Sequence, residues 1–212
     1  MNTNSTSPNP EFRQFHYLSD PLANRPLRVV PVDEYSSGSD WRALATGKAV
    51  PSQTLQLRGY SGGAPADFIW TGAIPLLCVS ERVHAILREH DVRGWGTYDV
   101  AIVDRKNQPV PGYYGFSVLS SAGNLDFSGS QIVTRPPVIP IGQPMEEYIG
   151  FTFDLAKWDG SDIFHVGGFK IVTDKVKSIF KRSHITNVRL TPILDVHLVA
   201  PLVEIIKKNR SD

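Results

Sequence analysis

Residues 79–92 read VSERVHAILREHDV, and residues 172–185 read VTDKVKSIFKRSHI. With an offset of 93, Ser80 meets Thr173, Glu81 meets Asp174, Arg82 meets Lys175, Val83 meets Val176 and Ile86 meets Ile179. Each stretch predicts a helix of about ten residues, near the usual short helix of a globular domain. Ser80 and Thr173 stand where a side-chain oxygen accepts an orphan backbone N–H. Glu81 and Asp174 follow in the first turn, at the positive end of the helix dipole. Val83, Ile86 and Leu87, like Val176, Ile179 and Phe180, recur at i, i+3, i+4 and make one apolar face.

Apolar runs flank each helix. Ile74 to Val79 and Phe169 to Val172 come before, and Tyr98 to Val103 and Val188 to Ile193 come after, so the predicted unit is strand, capped helix, strand, used twice. Between the copies, Tyr98 to Asp104 and Tyr113 to Ser120 flank a proline- and glycine-containing hairpin loop. Leu125 to Val133, Ile149 to Asp154 and Ile163 to Val166 read as further strands. The four prolines between Arg135 and Pro144 read as an extended connection. Upstream, Leu27 to Val32 predicts a strand and Asp40 to Thr46 a short helix ended by Gly47. Pro201 suits the first position of a helix over Leu202 to Asn209. Together these elements predict an α+β fold, mainly antiparallel sheet with a few short helices. The expected organisation is one domain over residues 13–212 after a disordered N-terminus over residues 1–12.

The chain has 212 residues, 41% hydrophobic and 20% charged. A chain this long buries about 70% of its unfolded surface, so it needs neither disulfides nor a structural metal. Its one cysteine, Cys78, lies in an apolar run and reads as a buried small hydrophobe in a reducing compartment. The first ten residues lack the basic and apolar regions of a secretory signal. No apolar run approaches the ~20 residues of a membrane helix. The expectation is a cytoplasmic protein without membrane contact. Residues 1–169 carry a net charge of −4 and residues 170–212 a net charge of +5. The basic end has only Phe180 as an aromatic after Phe169, so it reads as solvated helix faces, not as a surface for direct nucleic-acid binding.

The loop Gly59-Tyr60-Ser61-Gly62-Gly63 looks like the segment around a protease nucleophile, but a serine needs a histidine to take its proton. Only His16 lies upstream, 45 residues away, and no nucleophile-elbow spacing is present. The plainer reading is a flexible glycine loop before a strand. His84 and His90 are six apart, which places them on opposite helix faces, and no metal-ligand spacing occurs. His165, within Ile163-Phe-His-Val166, reads as a satisfied, half-buried side chain. The carboxylates Glu146 and Glu147, beside Pro144, read as solvated. No catalytic residue, metal ligand or cofactor is expected.

The stretches Pro65 to Trp70, Leu77 to Val83, Ile163 to Val166 and Ile171 to Val176 resemble a bacterial family of immunity proteins, the eleventh numbered family of polymorphic toxin systems. The resemblance covers about residues 60–195. It implies a cytoplasmic α+β protein that binds a cognate toxin encoded nearby and blocks it, with no catalytic residues. The chain departs from the family picture in its longer N-terminus and its lack of acidity.

For such a partner, the expected contacts lie where tryptophans meet acids. Trp158 stands between Asp154 and the pair Asp159 and Asp162, and Trp95 and Trp41 are further candidates. The alternatives are a hydrolase whose site involves Ser61 or His165, and a non-enzymatic adaptor domain. The oligomeric state is open.

Overall fold

A computed structural model of the chain describes residues 10–32, 41–72, 75–137 and 142–208. In chain order the first half contributes β1 (Phe15–Ser19), β2 (Arg28–Pro31), α1 (Trp41–Ala45), β3 (Leu55–Ser61), β4 (Phe68–Thr71), β5 (Leu77–Ser80), α2 (Glu81–Glu89) and β6 (Trp95–Val103). The second half contributes β7 (Tyr113–Val118), β8 (Ser120–Ser121), β9 (Gln131–Arg135), β10 (Met145–Ile149), β11 (Ile163–Val166), β12 (Phe169–Thr173), α3 (Asp174–Arg182), β13 (Arg189–Pro192), β14 (His197–Val199) and α4 (Ala200–Lys208). The fold is α+β, with mostly antiparallel pairing.

The two capped helices sit in a duplicated architecture. Hairpin β4–β5 precedes α2 and hairpin β11–β12 precedes α3, in matching register: Phe68 faces Val79, and Ile163 faces Val172. The first strand of each half then crosses into the other half. β7 pairs with β5 and β6, and β1 pairs with β12 and β13. These registers also correspond. Tyr113 faces Ser80 as Phe15 faces Thr173, and Gly115 faces Tyr98 as Tyr17 faces Thr191. In the first half the sheet closes into a barrel of order β2-β3-β6-β7-β5-β4. The second keeps the equivalent five strands as an open sheet, β13-β1-β12-β11-β8. β14, β10 and β9 form a separate three-stranded sheet.

The two helices bury their apolar faces in one core. Val83, Leu87, Val176, Ile179 and Phe180 pack there with Phe68 and Trp70, and Ile86 lies half-buried at its margin. Burying side chains of this size contributes about 1.5–3 kcal/mol each. Leu27, Val29, Leu57 and Ile69 fill the barrel. A third core, rich in phenylalanine, holds Phe15, Phe151, Phe153 and Phe164. Both helices end the same way, with Asp91 and His184 in the left-handed conformation after them (φ 46° and 50°).

Several expectations need correction. Ser80 caps α2, accepting from the Val83 amide at 3.3 Å, but the Thr173 hydroxyl makes no cap bond and is buried without a partner. Residues 10–14, partly assigned to a disordered terminus, form a 3-10 turn that buries Phe12; residues 1–9 lie outside the described ones. The strand expected over Leu125 to Val133 begins only at Gln131, because the Asp126 carboxylate turns the chain by accepting from the Ser128 amide at 2.9 Å. The strand expected over Ile149 to Asp154 ends at Ile149, where Gly150 takes φ 78° against the Leu194 backbone. Ser61 ends a strand and is not in a loop before one. The predicted starts of two segments, Asp40 and Ile74, and the end of another, Asn209, lie outside the described residues.

Candidate functional site

Two buried aspartates join the halves. Asp67 and Asp162 precede β4 and β11, and each is 8% exposed. Asp67 Oδ2 accepts from the Thr186 amide, the Thr186 hydroxyl and Arg82 Nη1, all at 2.9 Å, and Oδ1 accepts from the Ser80 hydroxyl at 3.0 Å. Asp162 Oδ2 accepts from the Arg93 amide at 2.9 Å and from Lys175 Nζ at 3.0 Å. Arg93 and Thr186 are themselves 93 residues apart, as are Arg82 and Lys175. Arg82 also donates to the Ser183 carbonyl, and Lys175 Nζ to the Asp91 carbonyl at 3.1 Å. Gly94 follows Arg93 at φ 94°, where an added Cβ would stand 2.0 Å from the Ile163 carbonyl oxygen. These carboxylates and their donors are absorbed in joining backbone segments.

Asp162 is therefore an internal brace and does not stand on a contact surface. The tryptophans are half-buried. Trp158 meets Phe15 edge-on with centroids 5.0 Å apart, leans on Phe164, and donates from Nε1 to the Ser161 carbonyl at 2.9 Å. Trp95 stacks on Phe116 and donates to the Val92 carbonyl at 2.8 Å. Trp41 packs at the rim of the barrel core. Asp154 and Asp159 are exposed and turn their own loops, accepting from the amides of Ala156 and Ser161. The structure brings Trp158, Asp154 and Asp159 into one surface loop and leaves Trp41 and Trp95 elsewhere.

The three-stranded sheet and α4 expose apolar side chains that sequence reading did not single out. In β9–β10–β14, opposite residues share a face. Glu147 faces Val133 on one side and Val199 on the other, while Tyr148 faces Ile132 and Leu198. Leu198 is buried and Tyr148 packs on the phenylalanine core, so their face is the inner one. The outer face carries Met145 (45% exposed), Val199 (42% exposed), Val133 and Ile149 around Glu147. Glu147 Oε2 accepts from Arg135 Nε at 2.7 Å and lies 3.1 Å from His197 Nδ1. Arg135, and then His197, hold the Glu147 carboxyl below the usual carboxylate range. Leu202 and Ile205 are exposed on α4, which follows β14 directly. β9 is hydrogen-bonded on one side only. Met145-Glu-Glu-Tyr-Ile149 shows no period-two alternation and Pro144 precedes it, so the sequence carried no clear strand signal there.

Among the described residues, no group of His, Cys, Asp and Glu is placed to hold a metal ion. The side chain of Ser61 has no hydrogen bond to a histidine among those residues; its strand pairs with β2 opposite Arg28. His165 is 8% exposed, more buried than expected, and neither ring nitrogen has a hydrogen-bond partner. Backbone groups of Ala45 and Phe169 lie near enough to favour its charged form weakly, but burial, reinforced by Lys170, pushes it down to about 4. Cys78 is buried, and desolvation pushes its thiol up to about 12, which leaves it inert as a nucleophile.

No protein-family model matches this chain, and no curated protein matches it. Among the described residues, no helix is long and apolar enough to cross a membrane.

Proposed function

We propose that the protein is a non-enzymatic binding protein of the immunity type, which neutralises a cognate bacterial toxin in the cytoplasm by covering it. The observation that carries this reading is the outer face of β9–β10–β14 together with the exposed side of α4. Met145, Val199, Leu202 and Ile205 leave water only if another molecule covers them. Arg135, Glu147 and His197 sit within that apolar surround and supply charged groups for orientation. The free edge of β9 offers backbone donors and acceptors to an added strand. A standard interface buries about 1,600 Å² in total, about 800 Å² from each partner. The resemblance of Leu77 to Val83 and Ile171 to Val176 to toxin-immunity proteins supplies the class of partner.

The test is co-expression with the product of the neighbouring gene. Growth rescue and a 1:1 complex are expected, and the double substitution Met145→Asp with Val199→Asp removes both while leaving the melting temperature within a few degrees. Failure of the unmodified chain to rescue growth refutes the toxin partner. Rescue that survives the double substitution places the interface elsewhere.

A further inference from the structure

A cavity of about 650 Å³ lies where the end of α1, the β7–β8 connection, the β11–β12 turn and α4 converge. Among the described residues, its charged lining residues are Arg42, Lys48 and Lys170, and none of those lining it is acidic. Lys170 and Lys48 form no ion pair among the described residues; Lys170 Nζ donates to the neutral Pro75 carbonyl at 3.2 Å. Burial pushes the Lys170 ammonium down to about 8, so it stays mostly charged at neutral pH without a counter-charge. His165 lines the same space with both ring nitrogens unpartnered, although buried polar atoms are nearly always bonded. Two lysines without an ion pair and an imidazole without a well-formed hydrogen bond, all among the described residues, line one cavity and suit an anion.

Part of the wall is apolar. Val118, Leu119 and Ile206 line it, and Leu119 is half exposed there. A bare inorganic ion would leave that wall against water, and the volume exceeds what such an ion fills. A phosphate monoester carries about −2 at neutral pH and three acceptor oxygens, which suits two ammonium groups and an imidazole N–H. We propose that this cavity binds a small organic phosphate, its head on Lys170, Lys48 and His165 and its organic part against Leu119, Val118 and Ile206. The site lies apart from the outer face of β9–β10–β14 and is independent of the toxin-binding reading.

Calorimetric titration of the full chain with phenyl phosphate, phenylacetate and inorganic phosphate tests this. Phenyl phosphate is expected to bind below about 1 mM and at least about tenfold more tightly than either other probe, as a fragment-sized ligand with charge-assisted contacts should. It should also shift the NMR signals of the His165 ring. Lys170→Met and Lys48→Gln should each weaken it about three- to tenfold. Leu119→Ser should weaken phenyl phosphate while leaving inorganic phosphate unchanged. Lys48 is exposed, so its substitution remains informative if Lys170→Met fails to fold. No binding of phenyl phosphate, equal or tighter binding of phenylacetate, or indifference to Lys48→Gln overturns the proposal.

Discussion

Asp67 and Asp162 hold equivalent places in the two halves, and each ties the helix start of its own half to the segment that follows the helix of the other. Asp67 accepts from Ser80 and Arg82 in its own half and from Thr186 across the join. Asp162 accepts from Lys175 in its own half and from the Arg93 amide across it. Removing either carboxylate strands part-buried donors on both sides. Asp67→Ala should cost about 3 kcal/mol and Asp162→Ala about 2 kcal/mol. Urea unfolding measures both, and a loss under about 0.5 kcal/mol for either, the size of an ordinary surface change, would remove the brace from the account.

Val83 and Val176 are fully buried in the shared core, one from each helix. Val83→Asp and Val176→Asp each set an unpaired charge among apolar side chains, and each should abolish the cooperative melt. Circular dichroism during heating checks this. A variant that keeps its transition would show that its helix faces elsewhere.

Trp158 packs edge-on against Phe15 and closes one side of the phenylalanine core. Trp158→Ala should therefore cost about 2–3 kcal/mol, less than a fully buried tryptophan because the ring is only half-covered. This reverses the expectation of a surface residue whose loss spares stability. An unchanged melting temperature would restore the surface reading.

Lys170 and His165 predict two windows of pH-dependent stability. Burial lowers Lys170 from 10.5 to about 8, so between these values the unfolded chain holds a proton that the folded chain has released. Stability contributed by this group therefore rises with pH across that window. His165, lowered from 6.5 to about 4, gives the same sign between pH 4 and 6.5, so stability is lost on acidification there. The difference in unfolding free energy between the native chain and Lys170→Met should change across pH 8 to 10.5 and level off below about pH 7. For His165→Gln the difference should change between pH 4 and 6.5. A flat difference in either window would mean that the group titrates normally.

The strand exchange has its own consequence. β1 lies between β12 and β13, although Ser19 and Phe169 stand 150 positions apart in sequence. Deleting residues 1–19 should leave β12 and β13 unpaired with each other and Phe164 exposed. The truncated chain should be insoluble, or molten by near-ultraviolet dichroism, and a native-like near-ultraviolet spectrum would refute this dependence.

Local chemistry made α2 and α3 legible without coordinates. Serine or threonine, then an acid, then apolar residues at i, i+3, i+4 are short-range signals, carried by residues that remain neighbours in any fold. The same locality exposed the hairpin β6–β7 and the apolar strands before each helix. The pairing of β7 with β5, and of β1 with β12 and β13, left no such trace, because a partner strand is chosen by long-range register and not by the strand's own composition. Asp67 and Asp162 look like ordinary loop acids until folding brings Thr186 and Arg93 within hydrogen-bond reach. Sequence alone determined where the chain would coil and which faces would be buried. Only the tertiary structure decided which segments meet, since the distances that let His165 and Lys170 share a cavity, or seat Trp158 on Phe15, depend on contacts between residues far apart along the chain.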